Sequence, residues 1–156
     1  MPLRGYGLTA ALYVNKNSRH KDKEDNVTEH GTFMWNQLVT ADQKKSGDFY
    51  SELLGWNRRE IPAGPFGVYT IFDQNGKDVG GMMNPTTDYS KSRPSWWQAF
   101  IAVADVDGCA SRVAELGGTV IEPPHDVPSV GRACLLADPM GAPVQLIAPV
   151  PETKKD

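Results

Sequence analysis

Few side chains in this chain are suited to acid–base or nucleophilic work. Its three histidines are His20, His30 and His125, and the first two lie in or beside a polar opening segment. His125 stands next to Asp126, and a carboxylate beside an imidazole can orient it as a general base titrating near neutrality. Arg132 could grip a carboxylate or phosphate. Tyr50 and Tyr69 are candidate acids, with Tyr50 expected in the core of a helix face. The plainer expectation for His125 is a loop residue held by Pro123, Pro124 and Pro128, and for Arg132 an exposed head. No nucleophile elbow, phosphate loop or Cys-x-x-Cys pair occurs. Cys109 and Cys134 each sit in an apolar-periodic segment, which predicts buried small hydrophobes rather than a disulfide.

The richer set is aromatic and amide: Trp35, Gln37, Trp96, Gln98, Phe100 and Gln145, joined by Met82. Its chemistry is recognition. Rings stack on a flat apolar molecule, and a glutamine amide both donates and accepts hydrogen bonds. The alternative is that these rings fill the core and leave no cavity.

These residues need strands to align them. Phe33, Trp35, Gln37 and Val39 alternate with Met34, Asn36, Leu38 and Thr40, which predicts a strand buried on both faces. Thr40 or Asp42 caps a following helix with Phe49, Leu53 and Leu54 on its apolar face, and Gly55 stops it. Strands follow at Trp56 to Ile61, Val68 to Phe72 and Asp78 to Met83, the last two joined by the hairpin signal Asn75-Gly76. After a linker from Asn84 to Pro94 the order repeats. Trp96 to Ala104 is a strand, and Asp105 or Asp107 caps a helix running through Val113 and Leu116. Thr119 to Glu122 is a strand, a Pro-rich loop intervenes, and strands at Arg132 to Ala137 and Pro143 to Ala148 close the unit. In alternation, Trp96, Gln98, Phe100 and Ala102 share one face, and Trp97, Ala99, Ile101 and Val103 the other.

The repeat is also visible in residue identities. Leu54-Gly55 matches Gly117-Gly118 at an offset of 118 − 55 = 63. Asp73, Gly76 and Val79 match Asp138, Gly141 and Val144 at an offset of 65. The fold class expected is α+β: two tandem βαβββ modules, residues 31–84 and 95–150, forming a curled-sheet cup with a helix flanking each half. Residues 1–30 read as a polar leader and 151–156 as a polar tail.

Bulk properties agree with one such domain. The chain has 156 residues, 40% of them hydrophobic and 22% charged, with a formal net charge of -3. That balance argues against a nucleic-acid surface. No apolar run approaches the ~18 residues of a membrane span. Arg4 precedes the run Leu8 to Val14, which is short for a secretory signal and lacks a small-residue cleavage site. A cytoplasmic, non-secreted protein is expected.

Over residues 31–150 the chain resembles the vicinal oxygen chelate superfamily, the glyoxalase, bleomycin-resistance and extradiol-dioxygenase group. The resemblance rests on Phe49-Tyr50-Ser51-Glu52-Leu53-Leu54-Gly55-Trp56, Ile101-Ala102-Val103-Ala104-Asp105-Val106-Asp107, Ala114-Glu115-Leu116-Gly117-Gly118 and Asp138-Pro139-Met140-Gly141-Ala142-Pro143-Val144-Gln145-Leu146. Gly80-Gly81-Met82-Met83 and Pro123-Pro124-His125-Asp126-Val127-Pro128 look closest to glyoxalase-like proteins filed as hydroxylases. In metal-using members, four side chains from the first and last strands of each half meet on one cation. The family spacing places these corners at Trp35, Gly80, Gln98 and Gln145, with Gly81 the answer to a one-residue slip.

An indole only donates, glycine has no side chain, and two neutral amides do not replace imidazoles and carboxylates on Zn²⁺, Ni²⁺ or Fe²⁺. No cofactor and no catalytic metal are therefore expected. The resemblance implies a small-molecule binding protein of the bleomycin-resistance type, with a homodimer as its expected assembly. Two alternatives remain: a glyoxalase-like lyase or isomerase, and an interaction domain whose cup is filled.

Overall fold

The computed structural model describes residues 29–127 and 130–150. The expected tail and nearly all of the expected leader, His20 included, lie outside the described residues. The first module runs β1 (Thr32–Val39), α1 (Gln43–Leu54), β2 (Asn57–Pro62), β3 (Val68–Gln74) and β4 (Lys77–Met83). A short helix α2 (Asp88–Lys91) follows. The second module runs β5 (Trp96–Ala102), α3 (Val106–Arg112), β6 (Thr119–Val127), β7 (Gly131–Ala137) and β8 (Pro143–Pro149).

Local chemistry accounts for the element ends. Asp42 caps α1 by accepting from the Lys45 amide, and Asp105 caps α3 by accepting from Gly108. Gly55 closes α1 at φ 72°. Its counterpart after α3 is Gly117 at φ 84°, one residue before the expected match at Gly118. Asn75 and Gly76 both take positive φ, as a two-residue β3–β4 hairpin requires. The linker holds an unexpected helix because Thr87 and Ser90 form a reciprocal capping box. The Pro-rich stretch after Glu122 is also not a loop. It continues β6 to Val127 as an edge strand, where missing proline N–H groups are tolerated, with register irregularities between Val120 and Glu122 and between Glu122 and His125.

All eight strands form one open sheet in the order β2-β3-β4-β1-β5-β8-β7-β6. The modules join where β1 and β5 pair antiparallel, while β1–β4 and β5–β8 pair parallel. One face carries the helices. There Leu38, Phe72 and Met82 pack with Tyr50 and Trp56, and Val103, Val106, Cys134 and Leu146 pack with Cys109 and Ile101. Both cysteines are free. The opposite, concave face holds two further clusters, Tyr69, Ile71 and Ala63 in the first half and Trp35, Phe100, Ala133 and Ile147 in the second.

Two bulges correct the expected faces. A register shift between Phe33 and Trp35 leaves Phe33 paired with Ile101, 71% exposed and on the face opposite Trp35. A second shift, pairing Phe72 with Gly80 but Asp73 with Asp78, leaves Val79 without an opposite residue.

Candidate functional site

Cross-strand pairs on the concave face assemble the site. Gln37 lies opposite Gln98, Trp35 opposite Phe100, and Val39 opposite Trp96. Gln145 sits beside Phe100 on β8, and Gly81 beside Gln37 on β4. Six of the seven expected ligand-binding residues therefore share one face. Met82 does not. It lies beside Leu38 and opposite Thr70, buried on the helix side. The Val79 bulge also moves the expected corner. Gly80 faces Trp97 and the Asn36 carbonyl on the helix side, so the concave position is Gly81.

The polar groups of this floor are buried and uncharged. Gln37, Gln98 and Gln145 are 4%, 6% and 7% exposed. The Gln98 amide donates to Gln145 Oε1 at 3.2 Å. The Trp35 indole donates to the Tyr69 hydroxyl at 2.9 Å. The Gln37 amide bonds to no other described residue, and it is not among the fully buried unpartnered polar groups, so it keeps some contact with solvent. Tyr69 lies over Gly81, where an added Cβ would fall 1.9 Å from its hydroxyl oxygen. Burial pushes the Tyr69 phenol well above the ordinary tyrosine range, outweighing the opposing hydrogen bond from Trp35. Tyr69 therefore stays neutral at any ordinary pH.

The rings divide into two roles. Trp35 and Phe100 are core, packed with Val127, Val130, Ala133 and Ile147. Trp96 stands at the rim, half-buried, with its indole nitrogen buried and without a partner among the described residues. Tyr89 meets it edge-on at 6.2 Å, and the Arg93 guanidinium lies over both rings.

The remaining candidates are each engaged by a neighbour. His125 is exposed on β6, and its Nδ1 meets the Pro123 carbonyl at 2.9 Å. Asp126 does not orient it, because Asp126 accepts from Arg132 at 3.0 Å. Arg132 also forks onto both oxygens of Asp107 in α3, so its head is occupied. This guanidinium holds the Asp107 carboxyl below the usual range. His30 accepts from the Ala104 amide at 3.0 Å through Nδ1. Tyr50 is core of the helix face, as expected, and accepts from the Trp97 indole at 2.9 Å. Desolvation raises the Cys134 thiol, which makes it unreactive.

Sequence reasoning did not pair Tyr69 with this floor. The available signal was the glycine in mid-strand, which marks a close approach by another group.

The four corners, Trp35, Gly81, Gln98 and Gln145, do not suit a catalytic divalent ion. The indole N–H points its hydrogen at Tyr69, Gly81 offers nothing, and the two amides bond to each other. Among the described residues no group of three or more His, Cys, Asp or Glu side chains could hold a metal. Nor is any helix among them long and apolar enough to cross a membrane.

Comparison with known proteins agrees with the architecture. The chain is 34% identical over 126 residues to CFP32 of Mycobacterium tuberculosis, provisionally named a glyoxylase, covering 81% of this chain and 47% of that protein. It is 33% identical over 123 residues to the anthracycline biosynthesis protein DnrV of Streptomyces peucetius, covering 72% and 45%. The chain thus spans about half the length of the curated relatives it matches. Among solved structures, methylmalonyl-CoA epimerase from Mycobacterium tuberculosis matches with TM-score 0.53 and 17% identity, covering 83% of this chain and 94% of the other. A variant of 4-hydroxymandelate synthase from Streptomyces coelicolor matches with TM-score 0.53 and 15% identity, covering 78% and 39%. These structures carry different activities on one fold, so they speak to fold alone. A family model matches residues 26–146, and the chain belongs to the glyoxalase, bleomycin resistance protein and dioxygenase superfamily.

Proposed function

We propose that this domain binds a small, flat, uncharged molecule on the concave face of its sheet, at the band of amides, without a metal ion. The observation that carries this reading is Gln37. The residue is 4% exposed, yet its amide, which bonds to no other described residue, is not among the fully buried unpartnered polar groups, so it stays open to a guest. A guest that bonds to it does so in largely buried surroundings, where a hydrogen bond is stronger than in water. Gln98 and Gln145 each retain amide groups not used in their mutual bond, which gives such a guest further anchors. One relative is named for anthracycline biosynthesis, which agrees with a flat ring system.

A lyase or isomerase reading draws on the relative provisionally named a glyoxylase. It needs a group that exchanges a proton near neutral pH. Trp35, Tyr69, Gln37, Gln98 and Gln145 include none, because burial holds the phenol protonated. Binding is the better-supported reading.

A thermal-shift screen of neutral polycyclic aromatics, with and without a chelator, tests it. At least one ring system is expected to raise the melting temperature equally in both conditions. No shift with any ring system would favour the filled cup. About one tightly held metal per chain in elemental analysis would overturn the metal-free part.

A further inference from the structure

We propose that the Tyr69 hydroxyl and the neighbouring Gln37 amide together receive the carbonyl oxygen of the bound molecule, so that the ligand class is a neutral, flat ring system bearing a carbonyl. The inference rests on the binding reading above and names what the site recognises.

Four observations converge on it. The Tyr69 oxygen accepts the Trp35 indole hydrogen at 2.9 Å, and its own hydroxyl hydrogen has no acceptor among the described residues. A hydroxyl that already accepts a hydrogen bond is polarised into a better donor. Gly81 leaves the space in which the phenol lies, with the Tyr69 ring occupying the volume an alanine methyl would take. Gln37 is the strand neighbour of that same Gly81, so its amide and the Tyr69 hydroxyl flank one point of the floor. Burial keeps the phenol protonated, so it acts as a donor throughout the physiological range.

The sign of the recognised group follows from the donors. The Tyr69 O–H and the Gln37 NH₂ both offer hydrogens, which calls for an acceptor on the ligand. The Gln37 carbonyl can then take a hydrogen from an adjacent N–H or O–H. None of the floor residues is cationic, so a carboxylate or phosphate would be buried without a countercharge. A ketone, quinone or lactam fits where an anion does not.

Acridone and anthracene separate these features. Both are flat three-ring molecules, and only acridone carries a carbonyl and an N–H. Binding of each to the full chain is measured by fluorescence titration. Wild type is expected to bind acridone more tightly than anthracene. Tyr69→Phe is expected to weaken acridone about tenfold while leaving anthracene within about twofold, since only the carbonyl loses its donor. Circular dichroism checks that the variant is folded. If it is not, Gln37→Leu provides the same reading, because it too removes a donor to the carbonyl. Acridone bound no more tightly than anthracene by wild type would overturn the inference. So would an acridone-to-anthracene ratio unchanged in the folded variants. Failure of the binding reading itself shows separately, as the absence of any stability shift across the aromatic screen.

Discussion

The Trp35 indole donates to the Tyr69 hydroxyl across 2.9 Å, joining the central strand β1 to β3 over a residue without a side chain, Gly81. The two rings close the first half of the concave floor much as the Gln98–Gln145 amide pair closes the second. Every group in this four-residue array is neutral. Its polarity is directional but carries no net charge.

The Gly81 gap makes a sharp prediction. Gly81→Ala puts a Cβ 1.9 Å from the Tyr69 oxygen and 2.3 Å from its ring, so ring or strand must move. A loss of about 1–3 kcal/mol is expected from overpacking. At Gly80 the nearest atom to an added Cβ is 3.3 Å away, so Gly80→Ala should cost clearly less. Urea denaturation of both variants checks the order. Equal losses would mean the ring is not seated over Gly81.

Tyr69 also predicts an alkaline signature. Its pKa is raised in the folded chain by burial, whereas the unfolded chain releases the proton near the ordinary value of about 10. Stability is then fully present below about pH 10 and falls as pH rises above it, because only the unfolded state ionises there. Tyr69→Phe removes this dependence. It also leaves the buried Trp35 N–H unpaired, costing about 1–3 kcal/mol at neutral pH. Denaturation midpoints between pH 8 and 11 should converge for the two proteins as pH rises. Parallel curves would contradict it.

The fold was largely legible in the sequence because both modules repeat the same caps and turns. Asp42 and Asp105, Gly55 and Gly117, and the Asn75-Gly76 hairpin work through local backbone chemistry. The site was half legible. Strand alternation correctly placed Trp35, Gln37, Trp96, Gln98, Phe100 and Gln145 on one face, since a period of two survives wherever pairing is regular. It failed at Met82 and Phe33, where bulges shift the pairing register. A bulge is decided between strands, so counting along one strand cannot locate it. The second offset shows this: pairing makes Gly81 the equivalent of Gln145, and the extra residue is Val79. The His125–Asp126 pairing was not legible for a different reason. Its neighbour Asp126 is drawn away by Arg132, a residue from the adjacent strand.

Arg132 ties edge strand β6 to helix α3 through Asp126 and Asp107. The Asp107 carboxyl is depressed in the folded state. A depressed carboxyl contributes stability above its unfolded pKa of about 4, which is lost as pH falls through the folded value. Asp107→Asn should therefore be less stable than wild type at pH 7, and the gap should narrow below about pH 4. The pair is solvent-exposed, so high salt should narrow the gap as well. Melting temperatures across pH 3–7 test this. A gap that does not change with pH would show that the effect does not come from the Asp107 charge.

Gln37 and Gln98 are opposite one another, yet replacing them should have opposite effects on stability. Gln37 is largely buried as a residue and its amide bonds to no other described residue, so Gln37→Leu breaks no hydrogen bond among them and adds apolar contact. It should stabilise the ligand-free chain by about 1 kcal/mol. Gln98→Leu instead strips the donor from the side-chain oxygen of Gln145, a residue only 7% exposed. It should destabilise by about 1–3 kcal/mol. A residue whose removal stabilises the free protein but weakens acridone about tenfold acts as a binding contact rather than a structural one. Chemical denaturation gives the first quantity and the acridone titration the second. Destabilisation by Gln37→Leu would show that the amide is satisfied within the folded chain, and the binding reading would lose its main support.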